Sequence, residues 1–454
     1  MRKILYLLIL LPFGLFGQND FVRHIVTADG EVTFWRGTQQ LWVSSITSPP
    51  VYEATYYVAP WGDDDNPGTF EEPWQSWQKG FYQPNHGDTV YFRGGEYDIV
   101  NPGSATSVVS LYNDNASTDT LNLWAYPGEV PVLNCNSDGT YQRGISLTGS
   151  KYIHMRGLNV KNVMQKTDGS TYGRGFYFRS CDSIWAENCT AYSCQGPGFS
   201  AVDNEGTAGY ISHVNCDSYN NYDPYTTTPN SPGGNADGFL VYGTNEDAII
   251  TYNGCRSWYN SDDGFDTYGT DALVSYDSCW TFNNGRDEGN GNGFKMGPSD
   301  TYVDLRREYN NCISANNIRI GFDGNGIDGI MHIYNNISYS NTSAGYITSG
   351  GNPDIAHIFR NNTDYDNGAA SGFGSNNIHD HNSWDSDPAV EVTDADFVSL
   401  DVNQLDNPRQ ADGSLPIITC FHLAEGSDLI DAGVDVGLDY EGDYPDIGVF
   451  ESNY

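Results

Sequence analysis

A chain of 454 residues with 59 Asp+Glu against 21 Lys+Arg carries a formal charge of −38. Such a surface repels nucleic acid and anionic membranes, so neither is expected as a partner. Aromatic residues make up 14% of the chain and charge is not gathered into runs, which excludes a disordered protein.

The N-terminus reads MRKILYLLILLPFGLFGQND. Arg2 and Lys3 precede an apolar run from Ile4 to Phe16, and Gly17 supplies a small residue before a polar start. That pattern predicts a secretory signal over residues 1–17, too short to span a bilayer as a helix. No cysteine follows Gly17 directly, and no later segment is apolar enough to cross a membrane. A secreted or periplasmic protein, acting as a monomer, is expected. Residues 18–55 alternate in GEVTFWRG and LWVSSI up to Pro49-Pro50, and are read as a leading strand or cap.

From Tyr56 the order is a strand, an acidic Gly/Pro loop, a short helix around Gln75–Tyr82, a turn at His86-Gly87-Asp88 and another strand. A helix there suits the cap of a repeat stack. Asp63, Asp64 and Asp65 lack the spacing and closing glutamate of an EF-hand and read as a solvated loop.

Beyond residue 150 the chain is periodic. Gly followed by an aromatic recurs at Gly175, Gly198, Gly238, Gly264, Gly293, Gly321, Gly345 and Gly372, at intervals of 23, 40, 26, 29, 28, 24 and 27 residues. A second phrase runs out of phase with it: NCTAYSC from Asn188, NCDSYNN, GCRSWYN, SCWTFNN, NCISANN, NNISYSN and NNTDYDN from Asn361. Short β-rich repeats of this period, without helical patterning, predict an all-β fold: one right-handed parallel β-helix over residues 56–454.

Stacked coils turn equal offsets into neighbours about 4.8 Å apart. The seventh position of the second phrase, mostly asparagine, therefore predicts a ladder of amides. Its second position gathers Cys189, Cys216, Cys255, Cys279 and Cys312. In-register strands hold Cβ atoms too far apart for disulfides, so these are expected to be buried thiols. The interval of 40 residues holds a polar, Pro-rich insertion, NYDPYTTTPNSPGGNA, expected on the same face as the acidic residues that follow it. After Gly372 the period fades into what reads as closing coils and a C-terminal cap.

Three Gly-Phe phrases carry the chemistry: NADGF, SDDGFD and GNGFK. Asp237 and Asp263 each precede the glycine by one; Asp266 and Lys295 each follow it by two. Stacking brings each pair together, with Asp262 alongside. A flat strand would point Asp263 and Asp266 to opposite faces, so a bend at Gly264 is required. Aspartates commonly decorate turns for local hydrogen bonds, but four in matched register call for a cation. All-oxygen ligands on turns suit Ca²⁺ better than zinc or copper. Lys295 is the only lysine after Lys166, and stands one coil beyond Asp266.

NYDPY…GGNADGF, NSDDGFDTYG and GNGNGFKMG resemble polysaccharide lyase family 9, whose pectate lyases are calcium-dependent. The opening YYVAPWGDDDNPGTFEEPW and the closing PDIGVFE also resemble secreted β-helix enzymes. The resemblance implies that Asp237, Asp262, Asp263 and Asp266 hold Ca²⁺ and that Lys295 is the base. It further implies β-elimination on an acidic polysaccharide, with pectate or polygalacturonate the expected substrate and rhamnogalacturonan the alternative. Arg256, Arg286 and Arg319, in or just after these repeats, are candidates to bind the anionic chain. A glycoside hydrolase with paired carboxylates and a non-catalytic glycan-binding β-helix are the rival readings.

Overall fold

The computed structural model describes residues 54–453, apart from 113–116, 203–208, 228–230, 299–303, 350–351 and 353. Before them it describes the backbone of three strands, Val22–Val26, Glu31–Arg36 and Gln39–Ser45, which pair as one antiparallel sheet. That sheet and the body beginning at Thr55 are separate compact units. The predicted signal segment lies outside the described residues.

The larger unit is a parallel β-helix. Among the described residues its strands fall into sheets of nine, ten and twelve, and consecutive coils add one strand to each. One coil runs through Ile249–Asn253 (twelve-stranded sheet), Arg256–Trp258 (ten-stranded) and Phe265–Asp266 (nine-stranded). The next repeats it as Leu273–Asp277, Trp280–Phe282 and Phe294–Lys295, with Ile249 opposite Leu273, Arg256 opposite Trp280 and Phe265 opposite Phe294.

Local conformation explains the second phrase. Its first residue turns a left-handed corner, as at Asn188 (φ 52°), Asn215 (φ 53°), Ser278 (φ 53°) and Asn311 (φ 54°), and its sixth turns another, as at Asn220 (φ 60°) and Asn283 (φ 56°). Asparagine tolerates this region because its short side chain bonds locally. The two corners bracket a three-residue strand. The seventh-position amides form the expected ladder: Asn221 donates to Asn260 at 2.8 Å, Asn260 to Asn284 at 3.1 Å, and Asn284 to Asn317, Asn317 to Asn341 and Asn341 to Asn367 at 3.0 Å each. A second ladder, Asn336 to Asn362 (2.9 Å) to Asn382 (2.8 Å), continues the cysteine column. All nine cysteines are buried, and none forms a disulfide among the described residues.

The Gly-aromatic phrase builds the core. Phe176, Phe199, Phe239, Phe265, Phe294, Phe322 and Tyr346 stack with centroids 4.5 to 5.0 Å apart. Tyr252, Tyr276 and Tyr309 form a parallel pile whose edges meet those faces at 5.3–5.6 Å. Each ring gains both burial and favourable edge-to-face geometry.

The N-terminal helix is Trp77–Tyr82, capped by Ser76 and placing Trp77 and Phe81 in the core. Asp64 belongs to it: its carboxylate accepts from the Gln75 and Ser76 amides at 3.0 and 2.8 Å, and from the Ser76 hydroxyl at 2.7 Å.

The C-terminal region departs from the expected end cap. Val402, Leu405, Ile418, Phe421, Leu423, Leu429 and Ile447 instead pack with outward residues of the ten-stranded sheet, Trp258, Trp280, Phe282, Ile313 and Ile337. That sheet presents an apolar stripe outside the core as well as inside it, and the tail runs back along the stack to cover it.

Candidate active site

Parallel in-register pairing places Leu240, Asp266, Lys295 and Asp323 in one outward row of the nine-stranded sheet. A second row follows from a repeated backbone bond: the Gly198 amide donates to the Asp237 carbonyl, Gly238 to Asp263, and Gly264 to Asn292. The bend at Gly264 is present. A Cβ there would lie 1.9 Å from the Thr281 hydroxyl oxygen, so the position faces inward and only glycine fits. Gly264 and Phe265 thus both face inward, which leaves Asp263 and Asp266 on the same outer surface.

The structure brings the five predicted residues together. One carboxylate oxygen each of Asp237, Asp262 and Asp263 lies within 4.8 Å of the other two. Asp266 stands beside this trio, turned toward the lysine. Lys295 Nζ donates to Asp263 Oδ2 at 2.9 Å and to Asp266 Oδ2 at 3.0 Å, and lies 5.5 Å from the centre of the Tyr268 ring. All four carboxylates are buried, Asp263 completely.

Burial is the main cause that raises the Asp237 and Asp262 carboxyls well above the usual range, reinforced by the neighbouring aspartates. Asp266 is pushed up to about 6 by burial, with Lys295 opposing. Burial alone would depress the Lys295 ammonium, but Asp263, Asp266, Asp237 and Asp262 together outweigh it and hold the amine protonated. Asp237 Oδ1 and Asp266 Oδ1 are buried without a hydrogen-bond partner among the described residues. Unpartnered buried carboxylate oxygens beside a carboxylate trio are costly as they stand. A divalent cation would satisfy them, so the donor set fits a hard, oxygen-seeking metal.

Two asparagines complete the site and were not singled out from the sequence. Asn292 holds Asp263 Oδ1 through its backbone amide (2.6 Å) and its side-chain Nδ2 (2.9 Å). The Asn290 amide reaches Asp262 Oδ1 at 3.3 Å. Alignment on Gly-Phe would have found Asn292, which occupies the offset of Asp237 and Asp263 one coil on. The insertion borders the same face: a Cβ on Gly233 would lie 3.0 Å from the Gly289 nitrogen, and the Asp262 amide donates to the Ala236 carbonyl. Asp223, fully buried, accepts from the Thr226 hydroxyl and the Asn235 amide and so pins the insertion at both ends.

The arginines separate. Arg319 is exposed just before Ile320–Asp323, near enough to Asp323 to act on its charge. Arg286 donates to the Asn220 carbonyl at 3.1 Å, tying down the loop that carries Asn290 and Asn292. Arg256 is placed elsewhere, which corrects the expectation that it lines the site. It is buried on the ten-stranded sheet, paired with Asp217 at 2.9 and 2.8 Å and donating to the Leu405 and Asn407 carbonyls under the C-terminal tail.

Residues 56–352 match the family model described as Pel9A-like, right handed beta helix region. The chain is 30% identical to pectate lyase L of Dickeya dadantii over 429 residues, covering 90% of this chain and 93% of that protein. The solved structure of pectate lyase Pel9A superposes with a TM-score of 0.72 at 29% identity, covering 88% of this chain and 96% of the other. A solved rhamnogalacturonan lyase shares the fold, with a TM-score of 0.68 at 23% identity over 82% of this chain and 97% of that one.

Proposed function

The chain belongs to the Pel9A-like right-handed β-helix family, pectate lyase family 9, and is a polysaccharide lyase; on that premise we propose that it is an exported, calcium-assisted lyase of polygalacturonate with Lys295 as its base. The observation that carries this reading is the contact of Lys295 Nζ with Asp263 and Asp266, beside two unpartnered carboxylate oxygens.

Asp237, Asp262, Asp263 and Asp266 would hold the ion, Asn292 and Asn290 fixing the orientation of two of them. When bound, Ca²⁺ supplies positive charge that neutralises the substrate carboxylate and lowers the energy of the enolate-like charge beside it. Lys295 takes the proton from the carbon α to that carboxylate. The electron pair left behind forms a double bond as the bond to the next sugar's oxygen breaks, and that oxygen leaves with the departing chain, taking up a proton from water. The products are an unsaturated uronate end and a new reducing end. A base must be neutral, and the four carboxylates now oppose this. With their charge compensated, burial acts alone on Lys295 and favours the free amine.

The test is absorbance of the unsaturated product from polygalacturonate, rhamnogalacturonan and alginate, with calcium and with chelator. Calcium-dependent product on polygalacturonate is expected. Product unaffected by chelator, or cleavage yielding only saturated ends, would overturn the reading.

A further inference from the structure

We infer that Arg143 and Arg174, braced by Tyr177, form a distal subsite for a uronate carboxylate on the same face as the active site, several sugars away from the bond that breaks. The inference rests on the reading of the site as a polyuronate lyase. An enzyme with a formal charge of −38 must hold a polyanion somewhere by local positive charge. One of the three arginines expected to do so, Arg256, is buried in an ion pair on another sheet.

Arg143 and Arg174 are direct register partners on adjacent strands of the nine-stranded sheet. They precede Gly144 and Gly175 just as Asp237 and Asp263 precede Gly238 and Gly264. A Cβ on Gly144 would strike the core residues Val160 and Val163, so the inward corner recurs there and Arg143 faces out. The row continues by the same repeated bond: Gly175 N to Pro197 O, then Gly198 N to Asp237 O. Both arginines therefore lie in the row of the metal-binding carboxylates, Arg174 two coils, about 10 Å, before Asp237.

Tyr177 occupies the row of Lys295, through Ser200, Leu240 and Asp266. The Arg143 guanidinium carbon lies over its ring at 4.2 Å and that of Arg174 at 5.3 Å. A guanidinium stacked on an aromatic face loses little further freedom on binding, and its planar fork matches a carboxylate. Both side chains are half-buried, and Arg179 on the same strand is exposed. The positions between this patch and the carboxylates, Pro197, Ser200, Val202 and Leu240, carry no charge. An extended uronan lying along the stack advances about one coil per sugar, so its carboxylates meet the arginines at one end and the carboxylate cluster at the other.

The test compares wild type with R143Q/R174Q and the charge-retaining R143K/R174K, each shown to be folded by its melting transition. KM and kcat are read on polygalacturonate and on its trimer, which, with its reacting sugar at Lys295, ends two coils short of Tyr177. Retention of each protein in a polygalacturonate-loaded gel is measured in chelator, where no turnover occurs. R143Q/R174Q should raise KM on the polymer roughly tenfold or more, leave kcat and trimer kinetics near wild type, and lose gel retention. The lysine pair should fall between. Equal losses on trimer and polymer, unchanged polymer KM, or unchanged retention would overturn the subsite. A wild type that forms no unsaturated product would instead count against the lyase reading, and the gel would still decide whether the arginines bind the polyanion.

Discussion

Asp263 and Lys295 stand on adjacent coils, and the 2.9 Å bond between Oδ2 and Nζ occupies one side of a carboxylate whose other oxygen is held by both nitrogens of Asn292. The aspartate is thereby fixed in place, and the lysine is fixed by it. Any cation that takes the carboxylate also changes the charge felt by the amine.

Replacing Lys295 by Ala should preserve the melting transition and calcium binding but lower product formation about 10²- to 10⁴-fold, the usual cost of a missing general base. Lys295→Arg should be nearly as damaging, because guanidinium stays protonated. A rate for Lys295→Ala within twofold of wild type would assign the base elsewhere.

Asp263→Ala removes an oxygen from the carboxylate trio and the anchor of Asn292. Calorimetry should show calcium affinity lost by orders of magnitude. Asn292→Ala, which leaves the carboxylate in place but unsteadied, should weaken affinity about 10- to 100-fold.

The pH dependence of the cation-free protein has a definite sign at this site. Asp266 is raised from 3.8 to about 6 in the folded chain, and Asp237 and Asp262 are raised as well. A raised carboxyl contributes stability that is full below about 3.8 and is lost as pH climbs through the folded value near 6. Calcium needs the ionised forms. The difference in melting temperature between calcium and chelator should therefore be small near pH 4 and widen up to and beyond pH 6. A gap that does not change with pH would place the calcium outside this cluster.

Arg256 should behave as a structural residue. Its guanidinium pairs with buried Asp217, whose carboxylate is also held by Arg409 at 2.7 and 3.0 Å. Arg256→Ala leaves Asp217 paired with Arg409 but strips the Leu405 and Asn407 carbonyls of their donor, and should cost about 1–3 kcal/mol in denaturant unfolding. Polymer KM should be unaltered, and a selective rise in KM would return Arg256 to the substrate.

Asn284 sits at the corner from which the loop to Asn290 and Asn292 departs. Its side chain accepts from the Asn260 backbone amide and donates to Asn317. Asn284→Ala leaves that buried amide unpaired and should cost about 1–3 kcal/mol. Asn284→Asp, which sets an acceptor against the Asn317 oxygen and the Ser257 carbonyl, should cost more. Both are read from denaturation midpoints.

Whatever depends on period can be read from the residues alone. Equal offsets from Gly-Phe become neighbours when coils stack in register, so Asp237 with Asp263, Asp266 with Lys295, and the asparagine ladder are all legible in the spacing. Whatever depends on where non-periodic chain goes is set by the fold. Arg256 shares its repeat with the site carboxylates, yet its partners include carbonyls about 150 positions away, at Leu405 and Asn407. The tail that brings them there is drawn by an apolar stripe on the outer face of the ten-stranded sheet. Asn292 keeps the offset of Asp263 one coil on, but the two bonds it donates to Asp263 Oδ1 come from how its loop folds back. A spacing fixes which coil a residue occupies. Which of three outward faces it joins, and what long-range chain covers that face, follows from hydrophobic burial summed over the whole stack.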